Sequence, residues 1–537
     1  MNNEFYLKPN VVIQPLFDRW NAWAHLISPA TSAMNVVGRH MKIMKSYIQS
    51  PQIHSAAAKN PKMLGGPFMD YLTNRVDEIK NLLSEIEKRH ESTIKFAKAI
   101  AELNKILKNK AKGSSLEPLY EEIPESLKGY VELVYDLNNN PSFRLFEPLL
   151  YKSNLYSKVS QSFALWLTEN DDRPFCLSTP QLDEAHIIHL NLPFNHIGID
   201  TLSQMKRNPN SIEGVAKTLG ISSAQTELFN TFFTHEQPPL YRAYQGHKAR
   251  MRYFGHACIL IETKDVCILV DPLISYYGYE SNVEHFSDVH LPETIDFVLI
   301  THNHQDHIVL ETLLPMRHRI KNIIIPSTTS GALQDPSLKL AFQNCGFSNV
   351  LEIGELEEIK FADCVITGIP FTGEHSDLNI RTKTCFHLAF KKFSFLFVAD
   401  SRILERKLYE HIQKITGNVD VLFLGMECDG APLSWLYGPL LTENINREQD
   451  NSRRLSGSDF EKGMHLVDIF KPKEVYVYAM GQEPWLKFIS SIKYSTDSNP
   501  IVQSDMLIKE CRSRGFLAER LFGEKELLYD YNSEEVL

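Results

Sequence analysis

His302-Asn303-His304-Gln305-Asp306-His307 packs four potential metal ligands into six positions. It follows directly on Asp296-Phe297-Val298-Leu299-Ile300-Thr301, an apolar run with the length and composition of a buried strand. The chain therefore leaves the core and at once presents imidazoles and a carboxylate from a tight loop. His302 and His304, at i and i+2, project to the same side and suit one metal ion, while Asp306 and His307 come around the turn and suit a second. A solvated histidine-rich loop is the plain alternative, and the neighbouring sequence speaks against it.

Upstream, residues 251–262 read as a strand and Val266-Cys267-Ile268-Leu269-Val270 as its hairpin partner, ended by Asp271-Pro272. Downstream, Phe371-Thr372-Gly373-Glu374-His375 follows another strand-like stretch, and Phe393-Ser394-Phe395-Leu396-Phe397-Val398-Ala399 runs as a buried strand into Asp400. The H-x-H-x-D-H string and this order of parts resemble the metallo-β-lactamase fold. That resemblance implies an α/β architecture, an αββα sandwich whose strand ends meet at one edge, with Asp400 as a carboxylate shared by two metals. Asp271, at another strand end, reads as support for a ligating histidine rather than as a ligand.

The kind of metal turns on two positions. Zinc hydrolases of the resembled fold usually offer a histidine where Gly373-Glu374-His375 stands, and another after a late strand. The late strand here, Glu474-Val475-Tyr476-Val477-Tyr478-Ala479-Met480, leads into Gly481-Gln482-Glu483-Pro484-Trp485, and no histidine occurs after His465. His465 lies in a helix-like stretch and reads as a packing residue. With Glu374 as ligand, the set is His302, His304, His307, Asp306, Glu374 and Asp400. Such a mixture of imidazole and carboxylate suits iron that must bind oxygen more than it suits zinc. His375 adjoins Glu374 and competes with it for the ligand role, so the residues leave that position open. A dinuclear zinc hydrolase, with Asp306 orienting a metal-bound hydroxide, is the alternative reading.

The six residues and their spacing, the long stretch ahead of them and the early segment Pro29-Ala30-Thr31-Ser32-Ala33-Met34-Asn35 resemble the metallo-β-lactamase-fold di-iron β-hydroxylases, the family of the chloramphenicol-pathway amino-acid hydroxylase. The resemblance implies a non-haem di-iron monooxygenase that β-hydroxylates an amino acid tethered as a thioester to a nonribosomal peptide synthetase carrier domain. It implies two iron ions joined by an oxo or carboxylate bridge, O2 as co-substrate, an external electron donor and a homodimer. Residue by residue, His302, His304 and Glu374 would hold one iron, Asp306 and His307 the other, and Asp400 would bridge them. Glu374 is then the catalytic gate, because a carboxylate shift there opens a metal position.

A chain of 537 residues is too long for one core. It is expected to comprise an α+β N-terminal interaction and dimerisation domain, residues 1–246, and a catalytic domain, residues 247–537, with the linker in Pro238 to His247. A net charge of −10 argues against a dedicated nucleic-acid binder. No apolar stretch approaches a membrane span, no secretory signal is evident, and the eight cysteines form no C-x-x-C pair. A cytoplasmic location is therefore expected. In the N-terminal part, residues 70–112 carry one long helical pattern, Glu125 to Leu137 a second short helix, His186 to Leu192 a strand and Ser211 to Leu219 a helix. His186 and His189, at i, i+3 in a strand, face opposite ways, and they read as structural, as do His40, His54 and His90.

Overall fold

The computed structural model describes residues 4–530 apart from 62, 240, 242, 329 and 330. Two seven-stranded sheets face each other in the metal-motif half of the chain. The first runs in the order Val350–Ile353, Ile320–Pro326, Ile295–Leu299, Cys267–Val270, Ile259–Glu262, Ala249–Tyr253, Lys525–Tyr529. The second runs Glu358–Phe361, Cys364–Ile369, Cys385–Ala389, Ser394–Phe397, Val421–Gly425, Glu474–Tyr478, Leu517–Arg520. The central strands are apolar on both faces because both are covered. Ile268, Leu299, Phe386, Phe397, Phe423 and Tyr478 fill the space between the sheets. Leu396, Leu422 and Val475 point the other way, toward Tyr409, Met464 and Leu507 of the outer helices. The arrangement is the αββα sandwich. Truncating one of these fully buried leucines to alanine costs about 2–5 kcal/mol.

The N-terminal half is mixed helix and strand, built on a sheet ordered Trp20–Asn21, Val11–Phe17, Gln161–Leu167, Ile188–Leu190. It is not detached from the sandwich. Leu7, Ile13, Phe163 and Phe194 share one buried cluster with Leu260, Leu269, Val298 and Leu313 on the outer side of the first sheet. Arg173 crosses the same seam and donates from Nη1 and Nη2 to the two carboxylate oxygens of Glu311, each at 2.8 Å. Glu311 lies in the helix Leu310–Met316, which begins just after the histidine-rich loop.

Three expected elements differ. Residues 251–262 are not one strand but the hairpin Ala249–Tyr253 and Ile259–Glu262, because Gly255 and His256 take positive φ (100° and 51°) and reverse the chain. The long pattern of residues 70–112 is two helices, Val76–Arg89 and Glu91–Lys110, with His90 out of helical geometry between them (φ −104°, ψ 26°). Leu72 lies outside both and is exposed. The stretch Glu125 to Leu137 keeps only a short 3-10 turn at Glu125–Leu127. Val131–Tyr135 is then a strand paired with Pro141–Leu145, as its two-residue alternation prefers. The helix expected from Ser211 is observed as Ile212–Leu219, with the Ser211 hydroxyl accepting from Gly214 N–H at its start.

Candidate metal centre

Three strands, two of them in parallel pairs and Cys364–Ile369 in antiparallel ones, lead into the site residues. The chain leaves Ile295–Leu299 into His302, leaves Cys364–Ile369 toward Glu374, and leaves Ser394–Phe397 into Asp400. Glu374, Asp271 and Ala399, beside Asp400, have φ of 62°, 40° and 44°, as does Ala479 (53°) at the end of the late strand. Left-handed backbone at non-glycine residues costs about 1 kcal/mol each, and it gathers where side chains are aimed at a site.

All six predicted residues come together. His302, His304 and Glu374 form one group of ligand atoms within 4.8 Å of one another, and His302, His307 and Asp400 form a second. Asp306 and His307 form a third with His256, which the sequence reading absorbed into a strand. Its signal was there: a glycine followed by a histidine inside an apolar run marks a turn as well as it marks a strand. His304 Nδ1 is 2.8 Å from Glu374 Oε1, and His307 Nε2 is 3.2 Å from Asp400 Oδ2. His375 lies on the other side of Glu374, its Nδ1 2.8 Å from Oε2. Glu374 therefore joins the candidate ligand group, while His375 contacts it from outside.

Asp271 takes the supporting place. Its Oδ2 accepts from His307 Nδ1 at 2.8 Å, and the carboxylate also accepts from Thr301 N–H (2.8 Å) and Thr301 O–H (2.6 Å). With Nδ1 committed as donor, His307 turns the lone pair of Nε2 into the centre. Trp485 packs against Gly255, where a Cβ would come within 2.6 Å of its ring, and Glu483 accepts from the Tyr253 hydroxyl. The segment after the late strand thus supports the turn that carries His256.

Two observations test whether metals fit. His302 Nε2, His304 Nε2 and Asp400 Oδ1 are shut off from water and have no hydrogen-bond partner in the protein. Buried polar atoms of this kind are costly unless something else binds them. Electrostatics agrees. Burial together with His307 and His304 holds His302 well below the ordinary imidazole range, so it stays neutral. Burial raises the Asp400 carboxyl, and Glu374 and Asp306 raise it further against the pull of His307. Burial opposes charge on His307 as well, yet Asp400 and Asp271 push its pKa well up. A dry pocket with this many carboxylates calls for added positive charge.

Fold and site together define a metallo-β-lactamase-fold protein with a dinuclear centre. Residues 250–430 match the β-lactamase superfamily domain, and residues 6–238 match the di-iron non-haem β-hydroxylase N-terminal domain. The 4-amino-L-phenylalanyl-[peptidyl-carrier-protein] 3-hydroxylase of Streptomyces venezuelae is 35% identical over 525 residues, 96% of this chain and 98% of its own. The crystal structure of that organism's di-iron β-hydroxylase superposes with a TM-score of 0.92, covering 98% of this chain and 99% of the other at 35% identity. A variant of the enzyme gives 0.89 at 34% identity, covering 98% and 100%. The chain belongs to the di-iron β-hydroxylase family, whose cofactor is a pair of iron ions. Among the described residues, no helix is long and apolar enough to cross a membrane.

Proposed function

We propose that this oxygenase hydroxylates the β-carbon of an amino acid held as a thioester on the carrier domain of a nonribosomal peptide synthetase. In this reading His302, His304 and Glu374 would hold one iron, Asp306 and His307 the other, with Asp400 as a ligand available to both. The observation that carries it is the set of orphaned, buried atoms on His302, His304 and Asp400, gathered with Glu374 into candidate ligand groups that share His302. The similar Streptomyces enzyme, named for a peptidyl-carrier-bound amino acid, supplies the substrate class.

An iron pair bound there supplies O2 activation, with two electrons from an external donor. With those two electrons and two protons, one oxygen atom would enter the substrate C–H bond and the other would leave as water. The chain's own task is placement and protection. Asp271 fixes the ring of His307, and buried walls keep water from the reacting atoms. Glu374, between His304 and His375, has one carboxylate oxygen 2.8 Å from a ring nitrogen of each, and a change in its mode of binding would open a metal position. A tethered substrate brings binding energy from its carrier, which can be spent at the reacting carbon. The N-terminal half, residues 1–246, has the role of receiving that carrier and of pairing two copies of the chain. Eight unpaired cysteines suit a reducing, cytoplasmic setting.

Mass spectrometry on aminoacyl carrier domains tests the reading. A gain of one oxygen atom that requires both air and reductant is expected. Turnover undiminished without oxygen, or a redox-silent metal pair in the isolated protein, would overturn it.

A further inference from the structure

Asp306 is the least enclosed of the six site residues, with 27% of its side chain exposed against 13% for Asp400 and 8% or less for the three histidines and Glu374. Packing therefore constrains it less than the other five. One neighbour is placed to do so. His256 Nε2 lies 3.4 Å from Asp306 Oδ2, a separation that a small rotation of either side chain closes to a hydrogen bond.

The backbone goes to some length to hold His256 there. The residue is in the left-handed region at φ 51°, and the carbonyl of His256 accepts from Ala479 N–H at 2.9 Å. Gly255, at φ 100°, lies flat against Trp485. The imidazole itself is buried, and both of its ring nitrogens lack a hydrogen-bond partner. A strained turn that buries an unsatisfied imidazole is not accounted for by folding. Its edge meets His307, ring centroids 5.0 Å apart, so it faces the second metal position.

We propose that His256 is the positioning residue of that position. Its Nε2–H donates to Asp306 Oδ2 and fixes the carboxylate so that the other oxygen meets the metal. Outer hydrogen bonds to metal-binding carboxylates commonly change affinity about 10- to 100-fold. The inference rests on the two-iron reading above.

Two variants separate reach from bulk. In His256→Asn the side chain tolerates the left-handed backbone but its amide falls short of Asp306. In His256→Gln the amide nitrogen can stand where Nε2 stands. Iron per chain and the Mössbauer spectrum are measured on both, with circular dichroism to verify folding. The Asn variant is expected to keep one iron and release the second about 10- to 100-fold more readily, with one of two spectral sites weakened. The Gln variant is expected to hold both. Two irons with an unchanged spectrum in the Asn variant would overturn the proposal. Loss of the second iron from the Gln variant would overturn it too, and reversal by added imidazole would then mark His256 as a direct ligand. Wild-type protein without two irons would instead sink the reading on which the inference rests.

Discussion

Two buried clusters, one in each half of the chain, are made of much the same residue types and do opposite things. In the N-terminal half, Asp18 accepts from Arg89 Nη1 at 2.6 Å and pairs with His90 Nε2. The Ser160 hydroxyl is 3.1 Å from the same nitrogen, and Thr93 Oγ1 is 3.2 Å from His90 Nδ1. Aspartate, histidine and serine together resemble a nucleophile triad. Yet Asp18 and Ser160 meet one ring nitrogen rather than opposite ones, so no proton can be passed along, and all three residues are buried. That cluster closes on itself. The cluster around His302 does not, since it leaves His302 Nε2, His304 Nε2 and Asp400 Oδ1 buried without a partner. What separates a structural polar core from a binding site is the residue of unmet hydrogen-bonding capacity, not the kind of side chain.

The contrast can be broken by experiment. Glu374→Ala should lower product formation by more than about 100-fold while the circular dichroism spectrum is kept; full activity would hand the ligand role to His375. His90→Ala should do the reverse, lowering stability by about 3 kcal/mol in a denaturant titration while leaving iron content unchanged. Stripping the metals with a chelator should lower stability by about 2–3 kcal/mol if iron had been present at about 100 times its dissociation constant, and iron should restore it. The His90 variant should show the same metal-dependent increment.

A smaller effect sharpens the boundary between the two kinds of cluster. Glu427 accepts from Asp429 N–H and Gly430 N–H on Oε1, while Oε2 is buried without a partner. Burial pushes its carboxyl up to about 7 from the ordinary 4.5. A raised carboxyl stabilises the fold fully below pH 4.5 and loses that contribution as the pH climbs to about 7. The Glu427→Gln variant should therefore be more stable than wild type by about 1–2 kcal/mol at pH 8, the residue being partly exposed, and the gap should vanish near pH 4. A gap that does not change with pH would refute the assignment.

Much of the metal half was legible because its strands are apolar on both faces and its ligands stand at strand ends, where a side chain has nowhere to go but the edge. His302, His304, Asp306 and His307 declared themselves by spacing. Glu374 and Asp400 needed the resemblance, since one carboxylate after a strand is not distinctive. His256 was hidden because Phe254, Ala257 and Cys258 are buried in the turn as deeply as they would be in a strand. His90 likewise continues the helical spacing across a break that only its contacts with Asp18 explain. In Val131-Glu132-Leu133-Val134-Tyr135, five residues were too few for alternation to outweigh a helical reading.

The bidentate grip of Arg173 on Glu311 has a bearing on how the chain can be divided. Glu311 also accepts from the Tyr276 hydroxyl, and Arg173 lies 3.7 Å from the ring of Phe488. Cutting the polypeptide ahead of the sandwich would strand a carboxylate in an apolar seam one turn of helix from the histidine loop. Unlike a cassette that can be excised and transplanted, the oxygen-activating half was shaped with its neighbour in place, and a shortened version made for convenience would inherit a wound beside its own metals.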